Sequence, residues 1–255
     1  MKKIISLIFF TFAFSAMAQK EISAKTVFEM IDKKQAIEYD GVTIIGDLDL
    51  TELSNKHNEK GGKWDKNYKS VVEVPLIFKN CIFKGDFIAY KNIENGKRRH
   101  IGNINITWNG NGETYSTDFE ENVVFENCKF EQDSEFKYSK FAKDATFSSD
   151  YFTNEANFKY AVFKKETTFT QCNFDGIANF KYTNFDRISD FKAAKFKAYA
   201  DFKYTKFDES VSFQNSNFKA FADFKYADFS RGSNFDNTDF QVESNFKYSN
   251  GKRKM

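Results

Sequence analysis

Phenylalanine recurs with a fixed beat through the second half of this chain. From Phe125 to Phe246, 23 phenylalanines fall on two interleaved series, each returning at every eleventh position. One series is Phe125, Phe136, Phe147, Phe158, Phe169, Phe180, Phe191, Phe202, Phe213, Phe224, Phe235 and Phe246; the other runs from Phe130 to Phe240. Local spacing therefore alternates between five and six. Two residues before each Phe the side chain is small, as at Ala156, Ala178 and Ala200, with Asp150 the exception. Over half of the residues directly before these Phe are Asp or Asn. A helix would turn by roughly 140° and −120° over such steps, scattering the rings over two faces. Extended chain instead sets positions i and i−2 on one face, and turns the polar residue between them to water.

A second period doubles the first. Phe-Lys-Tyr begins at Phe136, Phe158, Phe180, Phe202, Phe224 and Phe246, always 22 apart. The unit is thus a 22-residue coil of four short sides, each holding one inward ring. Stacked on itself, it makes a square-section solenoid with rungs about 4.8 Å apart. The expected structural core includes Phe136, Phe147, Phe158, Phe169, Phe180, Phe191, Phe202, Phe213 and Phe224. Tyr138, Tyr160, Tyr182, Tyr204, Tyr226 and Tyr248 should form one surface column, beside Lys137, Lys159, Lys181, Lys203, Lys225 and Lys247.

The stretches Ala156-Asn157-Phe158-Lys159-Tyr160 and Ala200-Asp201-Phe202-Lys203-Tyr204 resemble the pentapeptide-repeat family, whose unit is a small residue, Asp or Asn, then a central Leu or Phe. The resemblance is strong over residues 125–248 and weak over 42–87. It implies an all-β fold, a right-handed quadrilateral β-helix (solenoid) with inward central and small residues. Every other unit here has six residues, which implies that the 22-residue coil is slightly larger than the family's, with the extra residue at a corner. Ile77 to Phe83 matches Val124 to Phe130 position for position at an offset of 47, which implies one coil plus an insertion of twenty-five further positions.

The remainder is read around that column. Residues 1–18 resemble a secretory signal, with Lys2 and Lys3 before an apolar run from Ile4 to Phe14, then Ser15-Ala16-Met17-Ala18. That run is too short to span a bilayer, and a periplasmic or secreted destination follows. Residues 19–40 are expected to form an N-terminal helical cap, with a helix over 23–37 started by Ser23 and faced by Val27, Phe28, Ile31 and Ile37. The β-helix is expected over 41–250, with a Leu-based first coil, a surface loop over 54–70, and a loop or hairpin insertion near 88–119. A hairpin turn is read at Asn109-Gly110-Asn111-Gly112. Residues 251–255 read as a basic tail.

Function is less legible. The chain has 38 Lys+Arg against 36 Asp+Glu, and the lysines of the signal account for the difference. Balanced charge argues against a dedicated nucleic-acid binder. The Tyr and Lys column offers a stripe that grips a polymer, by stacking on sugars or attracting anions; its bland counterpart is a surface ladder that only stabilises the sheet. Ile177, Tyr199 and Phe221, also 22 apart, read first as corner packing and second as a patch for a partner. Cys81, Cys128 and Cys172 read as buried thiols, with a Cys81–Cys128 bridge the alternative. No catalytic, metal or cofactor site is indicated, since His57 and His100 stand alone. Lys97-Arg98-Arg99-His100 and Lys252-Arg253-Lys254 read as solvated runs. The reading is an exported, non-catalytic binding or structural scaffold, with a cell-envelope polymer or protein as partner and a homodimer through the C-terminal end as a further option. A carbohydrate-active enzyme is the alternative from another class, and needs convergent carboxylates on one face. Some members of the family protect topoisomerases by imitating DNA; export and balanced charge speak against that role here.

Overall fold

The computed structural model describes residues 19–59, 66–94, 97–98 and 112–254. The segment read as an export signal, the turn at Asn109-Gly110-Asn111 and His100 lie outside them. Within the described residues the chain climbs a four-walled column. Every strand pairing between successive coils is parallel, and from Val123 on the register advances by one 22-residue coil, as at Phe125↔Phe147, Phe130↔Phe152 and Ala156↔Ala178. We call the walls A to D in chain order. Their inward rings are Phe147 in A, Phe152 in B, Phe158 in C and Phe163 in D, then their equivalents one coil later.

The small-x-Phe pattern produces this local structure directly. Ala156, Phe158, Ala161 and Phe163 are all fully buried. Between coils, equivalent rings stack nearly parallel, as for Phe136–Phe158 at 4.9 Å and Phe158–Phe180 at 5.1 Å. Across the lumen, rings of the facing walls A and C meet edge to face, as for Phe158–Phe169 at 5.1 Å and 78°. Both geometries suit the ring quadrupole. Several inward Thr and Cys side chains are satisfied by the coil before them: Thr183 Oγ1 donates to the Phe158 carbonyl at 2.8 Å, and Cys172 Sγ to that of Phe147 at 3.0 Å. Asx residues before the Phe accept the N–H two positions on, as Asp201 does from Lys203 and Asp223 from Lys225, both at 3.0 Å.

The four corners are of two kinds. After walls A and C the chain makes a tight turn closed by a hydrogen bond, such as Ala161 N to Phe158 O at 2.9 Å. The third residue of each such turn has a left-handed backbone, as at Gln171 and Tyr160. The other two corners, before walls C and A, hold the extra residue of the six-residue units. This is where Glu155, Ile177, Tyr199 and Phe221 sit.

The N-terminal region departs from expectation in its boundaries. The helix spans Ala24–Asp32, with the Ser23 hydroxyl accepting Thr26 N–H at 3.0 Å. It ends five residues sooner than its apolar spacing suggested: Lys34 is left-handed, and Ile37–Asp40 enters wall A as a strand paired with Leu76–Lys79. Ile37 is buried by the sheet, not by the helix. Ala24, Val27 and Ile31 pack on the first coil with Leu48, Leu50 and Leu53. The segment expected as a loop over 54–70 contains strands His57–Asn58 and Lys66–Val72. Alternation is what buries it, since Ser70 and Val72 point inward. The insertion is likewise narrower than 88–119: Glu113–Phe119 pairs in parallel with Lys66–Val72 at an offset of 47, and Phe119 is the inward ring of wall D. Tyr90–Glu94 runs antiparallel to it and to Lys97–Arg98. These long strands form a wing at the corner between walls C and D. At the other end the regular chain continues through the tail, where Asn250–Lys254 pairs in parallel with Asp228–Asn234.

Candidate binding face

The Phe-Lys-Tyr tyrosines are brought together, but on a corner and not on a flat wall. Tyr138, Tyr160, Tyr182, Tyr204, Tyr226 and Tyr248 each occupy the third position of the turn between walls C and D, with φ between 58° and 64°. Their rings stack without a gap: 4.8 Å from Tyr138 to Tyr160, 4.8 Å to Tyr182, 4.8 Å to Tyr204, 4.7 Å to Tyr226 and 5.0 Å to Tyr248. Tyr90, from the wing, extends this ladder, tilted against Tyr138 at 5.6 Å. The expectation of sugars stacking on this stripe is corrected by that geometry. Each interior ring has a neighbour on both faces, so the ladder presents edges and hydroxyls only.

The lysines follow the ladder with one departure. Lys137, Lys159, Lys181, Lys225 and Lys247 place their ammonium groups 4.8–5.3 Å from the ring of the adjoining tyrosine. Lys203 turns the other way, to Tyr199 Oη at 3.0 Å and to Asp201 and Asp223 at 3.3 and 3.5 Å. Beneath the lysines, the outward Asx column of wall C is shielded: Asn157, Asp201 and Asp223 are buried. Burial pushes the Glu135 carboxyl up to about 8, helped by the nearby charge of Glu155 and opposed by the Asn157 amide at 2.9 Å. Burial also raises Glu155 and Asp201, and lowers Lys137 and Lys159.

The opposite rim of wall C was under-read in the sequence. Ile177 and Phe221 are 42% and 39% exposed, and Tyr199 stacks on Phe221 at 6.1 Å. Corner packing, the first reading of these residues, leaves Ile177 and Phe221 exposed and Tyr199 half-buried. Val242 lies on the same rim. Among the described residues, seven of the nine exposed large hydrophobics border this one wall: Tyr138, Tyr204, Tyr226 and Tyr248 on the ladder, and Ile177, Phe221 and Val242 opposite. A groove of about 380 Å³ runs beside the ladder toward wall D, lined by Tyr182, Tyr204, Tyr226 and Tyr248 with Lys206, Asp228 and Asn250. The signal in the sequence was the coincidence of three apolar residues at the extra position.

The remaining candidates are placed as follows. Cys81, Cys128 and Cys172 are buried free thiols. Cys81 and Cys128 face each other on adjacent rungs, flanked by the registered pairs Lys79↔Glu126 and Ile82↔Lys129. Among the described residues no group of His, Cys, Asp and Glu could hold a metal ion. No described helix is long and apolar enough to cross a membrane.

Four parallel walls, one ring per wall and a 22-residue rise define a quadrilateral β-solenoid with an aromatic lumen. A family model describing pentapeptide repeats matches residues 151–195 and 202–250 in nine copies. Over those residues the column is built of the repeats of the pentapeptide-repeat family. No curated protein and no solved structure matches it.

Proposed function

We propose that this is an exported, non-catalytic binding scaffold of the periplasm or cell envelope, and that wall C with its tyrosine corner is its working face. The observation that carries the reading is a contrast between two corners of the same backbone. The turn after wall A places Asn127, Ser149, Gln171, Ala193, Asn215 and Asn237 at its left-handed position. The turn after wall C places Tyr there in all six coils from Tyr138 to Tyr248. Left-handed geometry strains a bulky side chain by about 1–2 kcal/mol and suits Asn. Ring stacking and a cation over the ring return roughly 1–2 kcal/mol. Stability alone therefore gives little reason to prefer Tyr, and the other corner shows that repeat duplication does not freeze outward positions. The ladder is kept for what it presents to a partner.

The test is a screen of glycans, polyanions and envelope proteins with the mature chain and with the Tyr160→Asn, Tyr182→Asn, Tyr204→Asn triple variant. Asn suits the turn, so the variant should keep its circular dichroism and lose binding. A ligand bound equally well by both proteins would move the working face elsewhere. Amino-terminal sequencing of the exported protein should begin at Gln19; retention of residues 1–18 would remove the export part of the reading.

A further inference from the structure

The ladder's chemistry narrows the partner, given that wall C is the working face. We propose that the corner between walls C and D is a track for a linear acidic polysaccharide lying along the column axis. Three features point there together. Because the tyrosine rings cover one another, the surface lacks the free aromatic faces that nucleobases and neutral sugars use. What remains are phenol groups on rings 4.7–5.0 Å apart, and the ammonium groups of Lys159, Lys181, Lys225 and Lys247, one to a coil except at Lys203, with Lys137 donating to Tyr90 Oη at the wing end. Both kinds of group are donors, suited to carboxylates and to ring oxygens.

The carboxylates that precede the wall C phenylalanines do not oppose this charge at the surface. Asp201 and Asp223 are buried, accept backbone N–H groups, and share the one lysine that turns inward. Glu135 is held largely in its uncharged form by burial at neutral pH. The field felt by a chain on the corner is therefore set mainly by the lysines, with Asp228 in the groove opposing Lys206.

The experiment is calorimetric titration of the mature protein with polygalacturonate, dextran, polyphosphate and single-stranded DNA, each at low and high salt. Polygalacturonate should bind, weaken with salt, and outcompete the other three. Lys159→Gln, Lys181→Gln and Lys225→Gln together should weaken it about tenfold, the loss of three partly screened contacts, and flatten its salt dependence. Tyr160→Phe, Tyr182→Phe and Tyr204→Phe preserve the ring stack, and should weaken it severalfold through the lost hydroxyls alone. Equal binding of dextran, tighter binding of DNA or polyphosphate, or indifference to the lysine variant would overturn the proposal. A neutral glycan or a protein whose binding is lost in the Tyr→Asn triple variant would overturn it too, while leaving wall C as the working face.

Discussion

Asp150 is the one residue that breaks the small-residue rule, and it shows what that rule protects. Its side chain is fully buried between Cys128 and Cys172; Oδ1 accepts the Cys128 N–H at 2.7 Å, and Oδ2 has no partner. Burial raises its carboxyl well above the usual carboxylate range. The native state therefore holds a proton at pH values where the unfolded chain has lost it, so stability is full below about pH 4 and falls as pH rises toward the raised value. Asp150→Ser restores the rule, and lets Cys128 N–H close its own turn as Cys172 does onto Phe169. It should stabilise by about 1–3 kcal/mol at neutral pH, the penalty of an unsatisfied buried group. Denaturation at several pH values checks this, and a variant that keeps the wild-type slope on the alkaline side would show that Asp150 is not its source. Glu135→Gln should likewise remove a loss of stability that develops between about pH 4.5 and 8.

At the scale of the element, one ring per wall is the unit that stability rests on. Phe180 and Phe202 are fully buried, each stacked on rings above and below and set edge-on to a ring of the facing wall A. Phe180→Ala or Phe202→Ala should destabilise by about 3–5 kcal/mol, read from urea denaturation. An unchanged midpoint would contradict the packing just described. These walls were legible in the sequence because each inward position recurs one coil later, and the offset of 47 between Ile77 to Phe83 and Val124 to Phe130 carried the register across the insertion. Helix and strand boundaries were not, because Ile37 satisfies a helical spacing and a strand alternation equally well, and burial in wall A decides between them. The tyrosine column was legible as a column only. Its place on a turn depends on backbone handedness at Tyr160 and its equivalents, and sequence alone points to Asn or Gly for such positions. The exposure of Ile177 and Phe221 was hidden for a similar reason, since apolar character gives no direction at a corner.

For the whole molecule, core and surface repeat with different periods, and the difference can be put to use. The lumen is indifferent to a shift of eleven positions, since both Phe series and the five-six alternation repeat at that step; the ladder repeats only at 22. Removing residues 180–201 joins Asn179 to Phe202 and takes out one full coil, leaving Tyr160 next to Tyr204. Removing residues 180–190 joins Asn179 to Phe191 and preserves small-x-Phe at the junction, but rotates all later chain by half a turn. Tyr204, Tyr226 and Tyr248 then stand on the corner diagonally opposite Tyr138 and Tyr160. Because coils contact only their neighbours, both deletions should fold as shortened columns with similar strand content. Polygalacturonate binding should survive the 22-residue deletion with a modest loss from the shorter track, and fall to the level of the Tyr→Asn triple variant in the 11-residue deletion. Two folded proteins with equal binding would show that recognition does not need an unbroken ladder, and would separate the column's architecture from its use.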